Sequence, residues 1–372
     1  MRTTGYVWHE RYSWHDTGTF AGIIAPGSTV QPFHNFESAD SKSRFNSLVE
    51  VSSLIDHLVK VPARIATDED ILRIHTPRHL DFIKNQSELV VGDAGDGWSP
   101  FGHKGIEIAR LAAGGTIAAV DAVLRGDVTN AYALVRPPGH HAERDMGMGY
   151  CIFANIPIAI EWARANHGIE RIAVVDFDIH HGNGTQSIFA DDPNVLTISL
   201  HQDRLFPQDS GYVTETGGSG AEGSALNVPL PAGTGNGAYA AAFERLVLPA
   251  LRNFKPEAIF VASGFDASAV DPLGCMTLTA TAYRQMTASL VTVADELCDG
   301  RLIMSHEGGY SPVYVPYCGL AVLEELCGFE TGIPDPFEFS FGNSPAHALT
   351  QAQDDVLNVA ENIARQMQLI VG

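Results

Sequence analysis

Short apolar runs recur along the chain at residues 131–135 (AYALV), 171–175 (RIAVV), 195–200 (VLTISL), 258–262 (AIFVA) and 302–304 (LIM). Each stops at Gly, Pro, Asp or His, as buried strands bounded by loops do. Longer stretches with helical spacing lie between them. Residues 106–124 carry Ile108, Leu111, Ala112, Ile117, Val120 and Leu124 on one stripe. Residues 156–166 stop before Gly168, a C-terminal signal, and 239–251 and 279–297 read likewise. A last helix is expected over 354–370, with Leu357, Ala360, Ile363, Ala364 and Met367 on its apolar face. Strands alternating with helices mean βαβ units, so the expected class is α/β, a single parallel sheet flanked by helices. The glycine-rich stretch 211–237 lacks the GK[ST] ending of a phosphate loop and reads as a long surface connection. Residues 93–100 read as an exposed loop, and the first hundred residues are less regular than the rest. With no linker or repeat to divide it, the chain is expected to form one domain over 1–372.

Composition narrows the function. With 23 basic and 44 acidic residues the net charge is −21, which disfavours direct binding of nucleic acid but suits cationic substrates. No apolar run approaches the length of a membrane helix, and the first residues, MRTTGYVWHERYSWHDTG, lack the apolar core of a signal peptide. A cytoplasmic protein without membrane contact is expected. The five cysteines are scattered, without a CxxC pair, and read as buried, reduced small hydrophobes.

Ligands of open parallel sheets bind beyond the carboxyl ends of the strands, and the unusual polar residues cluster there. AYALV runs into RPPGHHA, RIAVV into DFDIHHGNGTQ, AIFVA into SGFDAS and LIM into SHEGGY. The period of two turns Asp178 and His180 to one side, and Asp266 from another strand end completes a set of two oxygens and one nitrogen. Three such ligands with a position left open suit a catalytic rather than a structural zinc. His140 and His141, on the stiff turn after Pro137 and Pro138, are candidate proton carriers. Asp176 and Asn183 are available to orient them, one charged and one neutral, so the two imidazoles should differ. Tyr310 can donate to a developing oxyanion.

This ordered set of motifs, together with SLH and DPLG, resembles the histone deacetylase family, and Asn183 resembles its class II and bacterial amidohydrolase-like members. The resemblance runs from about residue 4 to the C-terminus. It implies the arginase/deacetylase-like fold and hydrolysis of acetyl-lysine amides, with zinc on Asp178, His180 and Asp266, one ion per chain. It makes His141 the general base and then acid, His140 its electrostatic partner and Tyr310 the carbonyl-polarising donor. Gly149, Tyr150 and Phe206 would line an acyl-lysine tunnel, with Leu273 at its rim. Structural K+ or Na+ is implied at Asp176, Asp178, His180, Ser199 and Leu200, and a second monovalent cation at Phe189, Asp192 and Val195. Bacterial relatives suggest a homo-oligomer.

The substrate is expected to be an acyl-lysine peptide, with acetylpolyamines or other small acylamides as the alternative. A dinuclear manganese ureohydrolase would need further carboxylates, and His181, Gly182 and Asn183 stand where an arginase-like Asp pattern would continue. A non-catalytic binder of acylated lysine would not need every proposed catalytic position intact.

Overall fold

The computed structural model describes residues 2–371. Its centre is an eight-stranded sheet formed by β1 (Thr4–Val7), β2 (Leu58–Lys60), β3 (Asn130–Ala133), β4 (Ile172–Asp176), β5 (Val195–Gln202), β6 (Ala225–Leu230), β7 (Ala258–Ser263) and β8 (Leu302–His306). The order across the sheet is β6-β5-β4-β7-β8-β3-β1-β2, and every pairing is parallel. The five apolar runs therefore occupy its adjoining strands from β5 to β3.

A pleat of period two divides each run between two cores. Ala131, Ala133, Ile172, Val174, Ala258, Phe260 and Ile303 face helices α2 (Ile106–Leu124) and α3 (Asn155–His167). Tyr132, Ala173, Val175, Ile259, Val261 and Met304 face the opposite core. That core holds α1 (Asp40–Val51), α5 (Asn236–Ala242) with α6 (Leu248–Phe254), α7 (Ala280–Cys298), α8 (Val315–Cys327) and α9 (Gln351–Gln366). The short α4 (Asn183–Phe189) follows just beyond β4.

The helices match their predicted spans to within a few residues, and α3 closes at Gly168 in the left-handed conformation, φ 67°. The expected helix at 239–251 is part of a longer run, since a π turn at Phe243–Val247 joins α5 to α6. Three expectations are corrected. Stretch 211–237 is not only a surface connection, because its Ala225–Leu230 forms the edge strand β6 and packs Leu226, Val228 and Leu230 into the core. Segment 93–100 joins a two-stranded ribbon, Val91–Asp93 with Pro100–Gly102, and buries Ala94 and Ser99. Cys275 is exposed, whereas the other four cysteines are buried; none is in a disulfide. Among the described residues, no helix is long and apolar enough to cross a membrane.

Candidate active site at the strand ends

The carboxyl ends of β3, β4, β7 and β8 supply the polar cluster. Beyond β4, Asp178 donates its backbone N–H to Asp176 Oδ1 at 3.0 Å, and His180 donates its own to Asp178 Oδ1 at 2.9 Å. These tight local turns bring alternate side chains of the DFDIHH segment to one place. Gly264 and Gly308 make room for them: a Cβ at Gly264 would lie 2.0 Å from Asp178 Oδ2, and one at Gly308 2.1 Å from Asp266 Oδ2. Instead the Gly308 N–H donates to Asp178 Oδ2 at 2.8 Å, and the Ile179 N–H to Asp266 Oδ1 at 2.8 Å.

Asp178, His180 and Asp266 thus converge, all buried, with ligand-type atoms within 4.8 Å of one another. His180 Nδ1 lies 3.0 Å from Asp178 Oδ1 and 3.1 Å from Asp266 Oδ2. Burial opposes a charge on His180, but the Asp266 and Asp178 carboxylates raise its pKa well above the usual imidazole range. Two buried carboxylates around one nitrogen demand a cation. A divalent metal ion would fit these donors.

Beside this group the two histidine rings lie 3.9 Å apart between centroids, tilted at 42° to each other. Glu307 Oε2 accepts the N–H groups of Gly139 at 2.6 Å and His140 at 3.0 Å, which anchors their turn. His140 Nδ1 pairs with Asp176 Oδ2 at 2.9 Å, and His141 Nδ1 with Asn183 Oδ1 at 2.8 Å. The Asn183 amide donates in turn to Glu143 Oε1 at 2.9 Å, which fixes its oxygen toward His141. His141 therefore carries its proton on Nδ1 and leaves Nε2 as a lone-pair acceptor. Burial would lower both imidazoles. Asp178 and Asp176 overcome it at His140, whose pKa rises to about 10. At His141 burial prevails, aided by the charges of His140 and His180, and the pKa falls well below its usual value. The two rings are as unlike as the Asp/Asn pair behind them implies.

Tyr310 completes the floor of a cavity of about 310 Å3. Its walls include Gly149, Tyr150 and Phe206, with Leu273 also lining it, so all four tunnel residues implied by the resemblance are brought together. Burial, with the nearby Asp266 and Asp178 charges, pushes the Tyr310 phenol well above its usual pKa, so it stays a proton donor. Asp271 Oδ2 accepts the Tyr310 N–H at 2.7 Å while its Oδ1 accepts the Leu273 N–H at 2.9 Å. One carboxylate thus ties the backbone of Tyr310 to that of Leu273. The residues that the resemblance implies for monovalent cations fall in two places. Asp176 and Ser199 are register neighbours on β4 and β5, with Leu200 next along β5. Phe189, Asp192 and Val195 sit around the turn into β5, where the Asp192 carboxylate is already spent on Arg164 at 2.5 Å.

Sequence reasoning gave no role to Glu307, Asp271 or Glu143, which act by orienting other groups. The first two lie inside quoted motifs, but acceptors of backbone N–H groups have no distinctive spacing. Ile23, Trp98 and Leu205 also line the cavity and were not expected. His181, by contrast, turns away to Ser210 Oγ at 2.9 Å and Gln186 Oε1 at 3.0 Å.

The family model described as the histone deacetylase domain matches residues 34–326. The histone deacetylase-like amidohydrolase of Pseudomonas aeruginosa is 48% identical over 338 residues, covering 90% of this chain and 89% of that protein. A probable deacetylase of Archaeoglobus fulgidus is 36% identical over 328 residues, 88% of this chain and 87% of its own. The crystal structure of the HDA15 HD domain superposes with a TM-score of 0.85 at 30% identity, covering 98% of this chain and 96% of that one.

Proposed function

Because the chain belongs to the histone deacetylase family, we propose that it is a zinc-dependent amidohydrolase that removes acetyl or similar short acyl groups from the ε-amine of acyl-lysine. The observation that carries this reading is the convergence of Asp178, His180 and Asp266 beside two differently partnered histidines, with His141, His180 and Tyr310 lining one cavity. We read the whole of 1–372 as one domain serving this site, in a cytoplasmic setting and as a homo-oligomer.

Zn2+ held by Asp178, His180 and Asp266 would supply a Lewis acid for the acyl carbonyl and acidify a water molecule. His141 Nε2, unprotonated and buried, takes a proton from the attacking water and returns it to the leaving lysine amine. His140, an imidazolium beside Asp176, gives a fixed positive charge and stays out of the transfer. The Tyr310 phenol donates to the oxygen on which charge develops. Phe206, its ring near-perpendicular to that of His141 with centroids 4.9 Å apart, excludes bulk water together with Tyr150. K+ or Na+ at Asp176, Asp178, His180, Ser199 and Leu200 would neutralise the acidic strand ends, and a second such ion at Phe189, Asp192 and Val195 would rely on backbone carbonyls.

A fluorogenic acetyl-lysine peptide tests the reading. Turnover that a chelator abolishes and added zinc restores is the expected result; turnover indifferent to chelation contradicts it. Acetylpolyamines remain the alternative substrate, but no Asp or Glu is among the cavity-lining residues to pair with a second ammonium.

A further inference from the structure

The cavity changes character toward its mouth. Its floor is polar, with His141, His180 and Tyr310, but Ile23, Trp98, Leu205 and Leu273 complete the lining, which includes no Asp, Glu, Lys or Arg. On a protein of net charge −21 an uncharged mouth is a local departure. Trp98 is 55% exposed and Ile23 40% exposed, so both present apolar surface to whatever enters.

The loop that carries Trp98 is rigidly tied. Asp93 Oδ1 accepts the N–H groups of Gly95 and Gly97, each at 2.8 Å, and Asp96 Oδ1 accepts that of Trp98 at 2.9 Å. Asp96 Oδ2 accepts the Ser99 hydroxyl at 3.0 Å and the Gly149 N–H at 2.8 Å, and Ser99 Oγ accepts the Tyr150 N–H at 2.8 Å. The loop is thus bonded both to itself and to the tunnel wall. Its two carboxylates are committed to these bonds, and what it offers to a ligand is the indole. An aromatic surface held in place before binding loses little freedom on contact, so its apolar gain is retained.

We propose that Trp98, with Ile23, forms an apolar subsite for the group next to the scissile acyl-lysine, and that preferred substrates carry an uncharged aromatic or aliphatic residue there. This rests on the acyl-lysine reading above. Contact with one indole is worth about three- to tenfold in kcat/KM.

The test compares acetyl-lysine peptides flanked by Phe, Gly, Asp or Lys, with wild type, Trp98→Ala, Trp98→Phe and Ile23→Ala. Wild type should favour the Phe-flanked peptide over the Gly-flanked one by about three- to tenfold, expressed in KM, with both charged flanks below Phe. Trp98→Ala should bring the Phe/Gly ratio to within about twofold, and Trp98→Phe should keep most of it. Peptide binding followed by titration calorimetry, in wild type against Trp98→Ala, reads the same preference without turnover. An unchanged ratio in Trp98→Ala, or charged flanks equal to Phe in wild type, overturns the proposal. Absence of any acetyl-lysine turnover would reject the acyl-lysine reading itself; turnover without flank preference rejects only the subsite.

Discussion

Two neighbouring histidines of identical covalent structure become different reagents because one faces a carboxylate and the other an amide. Asp176 holds a proton on His140, whereas Asn183, turned by Glu143, gives His141 a neutral acceptor and keeps Nε2 free. This much was legible in the DFDIHHGN spacing, since a charged and an uncharged partner flank the same motif. What acts through backbone acceptance was not: Glu307 and Asp271 hold the His140 turn and the Tyr310 loop by receiving N–H groups. Tyr310 itself is a single donor whose removal is testable. Tyr310→Phe should lower kcat by about a hundredfold or more, the scale of losing one oxyanion-hole donor, with metal content unchanged. Wild-type kcat/KM in that variant would remove Tyr310 from the mechanism.

At the scale of elements, α1 reaches the site through a buried ionic group. Glu37, just before α1, pairs bidentately with Arg136 beyond β3, through Nε at 2.9 Å and a second nitrogen at 2.7 Å. Lys42 Nζ lies 3.4 Å from Glu37 and donates to the Gly309 carbonyl at 3.3 Å, beside Tyr310. Burial alone would raise the Glu37 carboxyl, but Arg136 and Lys42 hold it at about 2. A depressed carboxylate pKa stabilises the fold fully above its unfolded value, near 4.5, and that contribution, about 3 kcal/mol, is lost as pH falls toward 2. Glu37→Gln leaves two buried cations without a carboxylate and should cost about 3–5 kcal/mol in urea unfolding at neutral pH. Between pH 5 and 3 its stability should also fall less steeply than that of wild type. Equal slopes would show that Glu37 is not the titrating group. None of this was visible in sequence, because α1 is polar along much of its length and its role is set by partners from distant segments. β6 escaped for another reason. Glycines around Ala225–Leu230 suggested a loop, yet an edge strand needs pairing on one side only and tolerates Pro229. The apolar runs of β3, β4, β5, β7 and β8 were legible because they are buried on both faces, which leaves no polar alternation to blur them.

For the whole molecule, long-range charge and local recognition act on different scales. The charge of −21 attracts any cation, but salt screens it beyond about 8–10 Å, and it does not select among cations. On the proposed reading, selection would fall to the cavity, where Leu273 offers apolar contact and no ionic partner. Acetyl-lysine peptides should therefore exceed N-acetylated spermidine or putrescine in kcat/KM by about tenfold or more at physiological ionic strength. Leu273→Glu should narrow that gap, most strongly at low salt; a wild-type preference for acetylpolyamines would refute the role given to Leu273. The sheet, its two cores and the strand-end cluster all follow from where apolar runs stop. The mouth does not, because Ile23 and Trp98 arrive from segments whose sequence has no period.

The most direct test of the central claim is a titration of metal-free protein with Zn2+, following hydrolysis of an acetyl-lysine peptide. If Asp178, His180 and Asp266 form one zinc site, as proposed, activity should rise linearly and level off at one equivalent per chain, with no rise in the Asp178→Ala protein. Full activity of the metal-free protein, or a plateau only at two equivalents, would contradict a mononuclear zinc amidohydrolase.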